Sequence, residues 1–396
     1  MKNILLVTDS IPFPPKNGKQ LPIFLLFSSF IKIYRIHICI IYKNDKPLVE
    51  DINYLLSVGF YDVSVFQSIK EIDFFKYPGF TFWKFDSNSI RNYYKGSRFD
   101  FVWVSPIYLS SILLKNIIHY NKSILGLNDV KTFMYREGWI EIWRTKIWDS
   151  TKFFQFLRSF LMGFQEPKIL NKYDFVHVQT LHEENKIEKL FNLHYISRRF
   201  SVIVGANSVK NELFELNYDR INVNTVLLMS QINGGRINET KWFVSKVWPL
   251  IIKAFPNLRL IIVGKSDGSL PDFLKNVHNL EILGFVDNLS DLYKSIDIAV
   301  VPTFHGTGLI NRILDSFCAG VPVITTSRAA ATFPSIKFGE ELLVADEPKD
   351  YLTSFGELVD SSYFRNEVSR KARIFAKNLP NHEFVIQKFI NHFENE

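Results

Sequence analysis

Short apolar runs rich in Ile, Val, Leu and Phe recur along the chain, separated by stretches of helical length. In the first half they lie at 3–8, 36–42, 63–66, 101–104, 124–127 and 175–178. Their length and β-branching predict buried strands. A loop at 9–19, holding Pro12, Pro14, Pro15 and Gly18, leads into a helix predicted over 20–33. The second half is more regular. Strands are predicted at 225–229, 258–263, 280–283, 298–301, 323–326 and 342–344. Helices are predicted at 240–254, 271–277, 289–295, 309–319, 349–359 and 364–377. Alternating strands and helices imply parallel sheets covered on both faces. The expected fold class is α/β, with two doubly wound, Rossmann-like domains. A polar stretch at 197–224 separates the two patterns, so the domains are expected at 1–205 and 206–378, with a last helix in 379–396.

The densest chemistry lies at 300–326, V-V-P-T-F-H-G-T-G-L-I-N-R-I-L-D-S-F-C-A-G-V-P-V-I-T-T. Pro302 ends a strand, the turn Gly306-Thr307-Gly308 opens a helix, and Gly320 and Pro322 stop it. A glycine turn at a helix N-terminus aims unpaired backbone N–H groups outward, and the helix dipole adds partial positive charge. That is a seat for a phosphate. Asn311 and Asp315 are four apart, with Arg312 beside them, so the amide and the carboxylate share a face one turn above the seat. A carboxylate there accepts hydrogen bonds from vicinal hydroxyls such as a ribose offers. The segment therefore reads as a nucleotide site. The plain alternative is an ordinary strand–turn–helix unit whose glycines serve packing alone.

This run resembles the donor-binding segment of GT4-type retaining glycosyltransferases with the GT-B fold. Gly306, Gly308, Arg312, Leu314, Gly320, Pro322, Val323 and Thr326 match that family's pattern or change it conservatively, and Asp315 stands where the family has a ribose-binding glutamate. The resemblance implies two domains facing a central cleft, a last helix packing back toward the N-terminal domain, and a nucleotide-sugar donor. It further implies that Arg236 and Lys241, in G-R-x4-K from Gly235, neutralise the donor pyrophosphate, unless the register is keyed on Trp242-Phe243 instead. The diphosphate would lie along Gly306 to Leu309. Gly18 and Lys19 occupy the first loop, where relatives place a glycine pair near donor phosphate and acceptor. Asp129, after Asn128 at a strand end, either meets the acceptor or transferred sugar or caps the next helix. Glu166 and Asp174 are weaker candidates. His305, with Asp129 a catalytic candidate, and Thr307 fall where relatives often carry the first glutamate of an acidic pair. Ala329 to Thr332 likewise depart from a family Gly and Glu.

No metal is expected, since preplaced cations stabilise charge growing on a nucleoside diphosphate. Nor is a cofactor, the nucleotide-sugar being a substrate. The acceptor is expected to be a glycan or polyprenol-linked glycan in cell-surface polysaccharide synthesis. The alternatives are a non-catalytic GT-B nucleotide-binding partner and a nucleotide-sugar epimerase or hydrolase on the same scaffold.

Bulk properties change little. The chain has 396 residues, 47% of them hydrophobic, enough for two cores. Its net charge of +7 would attract an anionic partner, but no nucleic-acid motif accompanies it. Cys39 and Cys318 sit in different expected domains, which suits reduced thiols and a cytoplasmic location. No secretory signal is visible, and the apolar stretch 22–42 is broken by Lys32, Arg35 and His37. Aromatics with basic neighbours over 139–164 suggest contact with the inner face of a membrane; a helix using them as core is the alternative.

Overall fold

A computed structural model describes residues 1–15, 20–71, 82–114, 116–146, 148–205, 209–219, 222–230, 237–264, 270–284, 286, 288–304, 309–333, 335–379 and 382–394. The chain divides into two compact units. The first comprises 1–136, 153–208 and 380–396, and the second 137–152 and 209–379.

Among the described residues the first unit holds an eight-stranded sheet. Its strands are β1 (Asn3–Thr8), β2 (Arg35–Tyr42), β3 (Asp62–Glu71), β4 (Phe82–Phe85), β5 (Arg98–Ser105), β6 (His119–Gly126), β7 (Phe175–Val178) and β8 (Ser201–Val204). Their order is β4-β3-β2-β1-β5-β6-β7-β8, parallel throughout except for β4, which runs antiparallel to β3. Ile4 and Leu6 of β1 enter one apolar cluster, and Leu5 and Val7 the other. Phe101 and Trp103 of β5 likewise oppose Val102 and Val104. Burial of both faces is why these strands read as continuous apolar runs. The His382–Glu394 helix belongs to this unit, and its Val385, Ile386, Phe389 and Phe393 enter the core.

The second unit holds a six-stranded parallel sheet in the order β11-β10-β9-β12-β13-β14. These are β9 (Thr225–Met229), β10 (Arg259–Val263), β11 (Leu280–Leu283), β12 (Ile298–Val301), β13 (Val323–Thr325) and β14 (Leu343–Val344). Each sheet reverses its winding once, between β1 and β5 and between β9 and β12. In doubly wound folds the crevice beyond the strand C-termini at that reversal receives the ligand.

The sequence pattern misses β4 and β8, four-residue strands at the sheet edges. The helix expected over 271–277 is only a single tight turn, Asp272–Leu274, with Pro271 as its N-cap. The helix expected over 240–254 starts at Ile237 and contains a π-turn, Phe243–Val247, directly before Trp248–Ala254. Pro249 has no N–H to donate, and the widened turn before it accommodates that loss.

The stretch 137–152 lies with the second unit although its chain neighbours belong to the first. Two ion pairs join it to that unit. Arg144 meets Asp346 at 2.8 Å, and Glu137 pairs with Arg328.

Candidate active site

In the second unit, the Asn311–Ala319 helix begins two residues later than its sequence suggests, with Ile310 as N-cap and no side chain capping it. Gly320 ends it at φ 70°, the left-handed conformation. A Cβ there would stand 2.3 Å from the Cβ of Tyr218, so the position demands glycine twice over.

Arg312 fixes this helix at the β9/β12 reversal. One guanidinium nitrogen donates to the carbonyl of Met229, the last residue of β9. Another donates to Thr303 Oγ1, just past β12, at 2.9 Å. The arginine thus ties the helix to the ends of both strands that flank the switch point. The backbone past β12 is held from two further sides. Thr326 Oγ1 donates to the Thr303 carbonyl, and Phe304 N donates to Glu239 Oε1 at 3.1 Å.

Asp315 follows one turn after Asn311 and is only 7% exposed. Lys210 Nζ donates to its Oδ2 at 3.0 Å. Burial pushes the Asp315 carboxyl above the ordinary carboxylate range, while Lys210 works against that shift. A charge this enclosed needs a partner, and the lysine supplies it. Beneath the pair, Tyr293 shares a hydrogen bond with Ser316 Oγ at 3.1 Å. Burial raises the Tyr293 hydroxyl, keeping it protonated.

Leu309 and Asn311 are half-buried beside the helix start, and Lys241 is exposed on the Ile237–Trp242 helix. His305, Gly306, Thr307, Gly308 and Arg236 lie outside the described residues, as do Gly18 and Lys19 of the first unit. Lys210, Glu239 and Thr303 are absent from the sequence-based set. A lysine in a polar stretch far from the motif carries no signal of its role, and Glu239 reads as an ordinary helix acid.

Asp129 belongs to the first unit. It is half-buried beyond β6, with Lys131 Nζ 3.9 Å away. The amides opening the Lys131–Thr145 helix go to Glu166, whose carboxylate oxygens accept from Lys131 N and Thr132 N at 2.8 Å each. Glu166 is therefore a buried cap. Asp174 accepts from Ser123 N and Oγ, both at 2.8 Å, and so ties β6 to the turn before β7. The aromatic segment 139–164 is divided, with 139–152 in the second unit and 153–164 in the first. Among the described residues no group of three or more His, Cys, Asp or Glu side chains is arranged to hold a metal ion.

Residues 223–361, which include this helix and its flanking strands, match the family model of group 1 glycosyl transferases. The fold is that of a GT-B glycosyltransferase. HepE of Anabaena, solved with UDP-glucose, aligns over 100% of both chains with a TM-score of 0.65 at 12% identity. The uncharacterized glycosyltransferase MJ1059 of Methanocaldococcus jannaschii is 27% identical over 231 residues, 51% of this chain and 54% of that protein. An uncharacterized 44.6 kDa protein in the cps region of Klebsiella pneumoniae is 24% identical over 138 residues, 33% of this chain and 35% of that one. The chain thus spans about half or less of these curated relatives. The group 1 glycosyltransferase match contains every described second-unit candidate, Leu309, Asn311, Arg312, Asp315 and Lys241. Among the described residues no helix is long and apolar enough to cross a membrane.

Proposed function

We propose that the protein is a retaining, metal-independent GT4-like glycosyltransferase working at the cytoplasmic face of the membrane. Its donor is a nucleoside diphosphate sugar and its acceptor a glycan or polyprenol-linked glycan of a cell-surface polysaccharide. The observation that carries this reading is the enclosed Asp315 carboxylate one turn into a helix that starts at the β9/β12 switch point. The position of that helix within the group 1 match, the UDP-glucose complex of HepE and the cps-region relative support it.

In this reading Asp315 accepts hydrogen bonds from the two ribose hydroxyls. The diphosphate lies along 306–309, with Arg236 and Lys241 as counter-ions and His305 toward the transferred sugar. Gly18 and Asp129 serve the acceptor side. The bond from the anomeric carbon to the β-phosphate oxygen breaks, and the acceptor oxygen bonds that carbon on the same face. The acceptor proton leaves on the departing phosphate. Cations stabilise the charge that gathers on the diphosphate.

The test is calorimetric titration with UDP, GDP, dTDP and ADP, followed by turnover of the sugar nucleotide of whichever binds. Asp315→Ala should bind that nucleotide at least about tenfold more weakly, since a bond to a charged group contributes about 1.5–3 kcal/mol. Equal affinity in parent and variant sinks the ribose role. The Lys210 contact, which satisfies Asp315 without any ribose, favours a second reading as a non-catalytic nucleotide-binding partner. Tight nucleotide binding without turnover over a broad acceptor panel would establish it.

A further inference from the structure

The Ser150–Leu170 helix is amphipathic in an unusual sense, because both of its faces carry apolar groups. One face is core, with Met162, Pro167, Ile169 and Leu170 buried. On the other, Phe154, Leu157, Leu161 and Phe164 recur at steps of three, four and three, which keeps them within one arc of the helix. They are 65%, 46%, 46% and 55% exposed, and Phe160 beside them is 50% exposed. Single exposed apolar residues need no account, but a continuous stripe along three turns does.

Charge identifies what covers it. From 153 to 172 the basic residues are Arg158, Lys168 and Lys172, and the single acid is Glu166. Glu166 is buried and spent on the Lys131 and Thr132 amides, so it adds no anion to the surface. Lys168 continues the arc one turn past Phe164, and both it and Lys172 are exposed. The Arg136 guanidinium stands 5.3 Å over the Phe160 ring. A second copy seated on this stripe about a two-fold axis would set these cations against themselves. A layer of anionic headgroups over acyl chains answers both features at once.

We propose that this stripe is a docking surface for an anionic lipid bilayer. The helix lies in the plane of the interface, its Phe and Leu side chains enter the headgroup–acyl boundary, and Lys168, Lys172 and Arg158 meet lipid phosphates. The inference stands apart from the transfer reaction, because its readout is partition and not turnover.

The experiment is co-sedimentation of the full chain with phosphatidylcholine vesicles, with and without an equal part of phosphatidylglycerol. The protein should pellet with the mixed vesicles, far less with the neutral ones, and be released as salt shortens the screening length. Phe154→Ser, Leu157→Ser and Phe164→Ser combined should weaken partition at least about tenfold, given the apolar area withdrawn from the bilayer. Lys168→Glu with Lys172→Glu should weaken it by a similar factor, each charge near the surface mattering about fivefold. All five side chains are exposed, so the fold should survive, as thermal unfolding of each variant checks. Failure of the parent to bind mixed vesicles overturns the proposal. So does unchanged partition of the triple Ser variant, or a dimer in solution that the triple variant abolishes while the parent ignores vesicles.

Discussion

Lys210 and Asp315 stand 105 positions apart, yet the lysine decides what the carboxylate can do. Burial alone would drive Asp315 toward its protonated form, and the ammonium holds it back. With Lys210→Met the folded-state value should climb further above its ordinary 3.8. On the proposed ribose role, the variant should then lose nucleotide affinity at a higher pH than the parent as pH falls, because a neutral carboxyl is a weaker acceptor for ribose hydroxyls. Titrations across pH check this, and coincident profiles would reduce the pair to a packing contact. Arg312 is a second case. Its motif suggests donor contact, and two of its guanidinium nitrogens also hold Met229 O and Thr303 Oγ1. Arg312→Met should therefore cost about 1.5–3 kcal/mol of stability in urea unfolding, even without any nucleotide. The place of Asp315 on its helix, one turn after Asn311, is legible from helical spacing. The roles of Lys210 and Glu239 are not, because they exist only once distant segments meet.

Elements show the same division between local and non-local information. The central strands are legible because both faces are buried, leaving long apolar runs. Edge strands β4 and β8 are only partly buried, with exposed Lys84 inside the one and exposed Ser201 opening the other, so neither leaves a continuous apolar run. Strand β7 carries a polar residue that its apolar run hides. His177 is buried between the rings of Trp103 and Phe389, 5.3 and 5.2 Å away. Burial depresses its pKa from 6.5 to about 4. The unfolded chain therefore binds a proton between those values that the folded chain refuses. Stability from this group is complete above 6.5 and is lost as pH falls toward 4, on the order of 3 kcal/mol in all. Urea midpoints measured across that window should fall in the parent, while His177→Phe should show a shallower slope even if its stability is lower. Parallel slopes would refute the assignment.

At the scale of the whole molecule, two doubly wound sheets were readable from the alternation of elements, and so was the change of pattern near 197–224. The crossing points were not. No local pattern in 137–152 foretells its ion pairs with Arg328 and Asp346. Nor does periodicity alone say where the His382–Glu394 helix belongs, although the aromatic density of F-V-I-Q-K-F-I-N-H-F announces a buried face. The first unit is built to receive it. Phe393 lies 4.2 Å from Phe101, Phe389 lies 5.2 Å from Trp103, and a Cβ on Gly205 would stand 2.6 Å from Val385. Burial of Val385, Ile386, Phe389 and Phe393 contributes about 1.5–3 kcal/mol each, or about 6–12 kcal/mol together. A domain has only about 5–15 kcal/mol to lose. A chain ending at Leu379 should therefore leave the first unit without a cooperative thermal transition and with an apolar trough that binds a hydrophobic dye. The second unit, whose described core takes no residue beyond Leu379, should keep its own transition in the same calorimetric scan. Two undisturbed transitions in the shortened chain would mean that the last helix is an accessory, and that the first sheet closes its core without it.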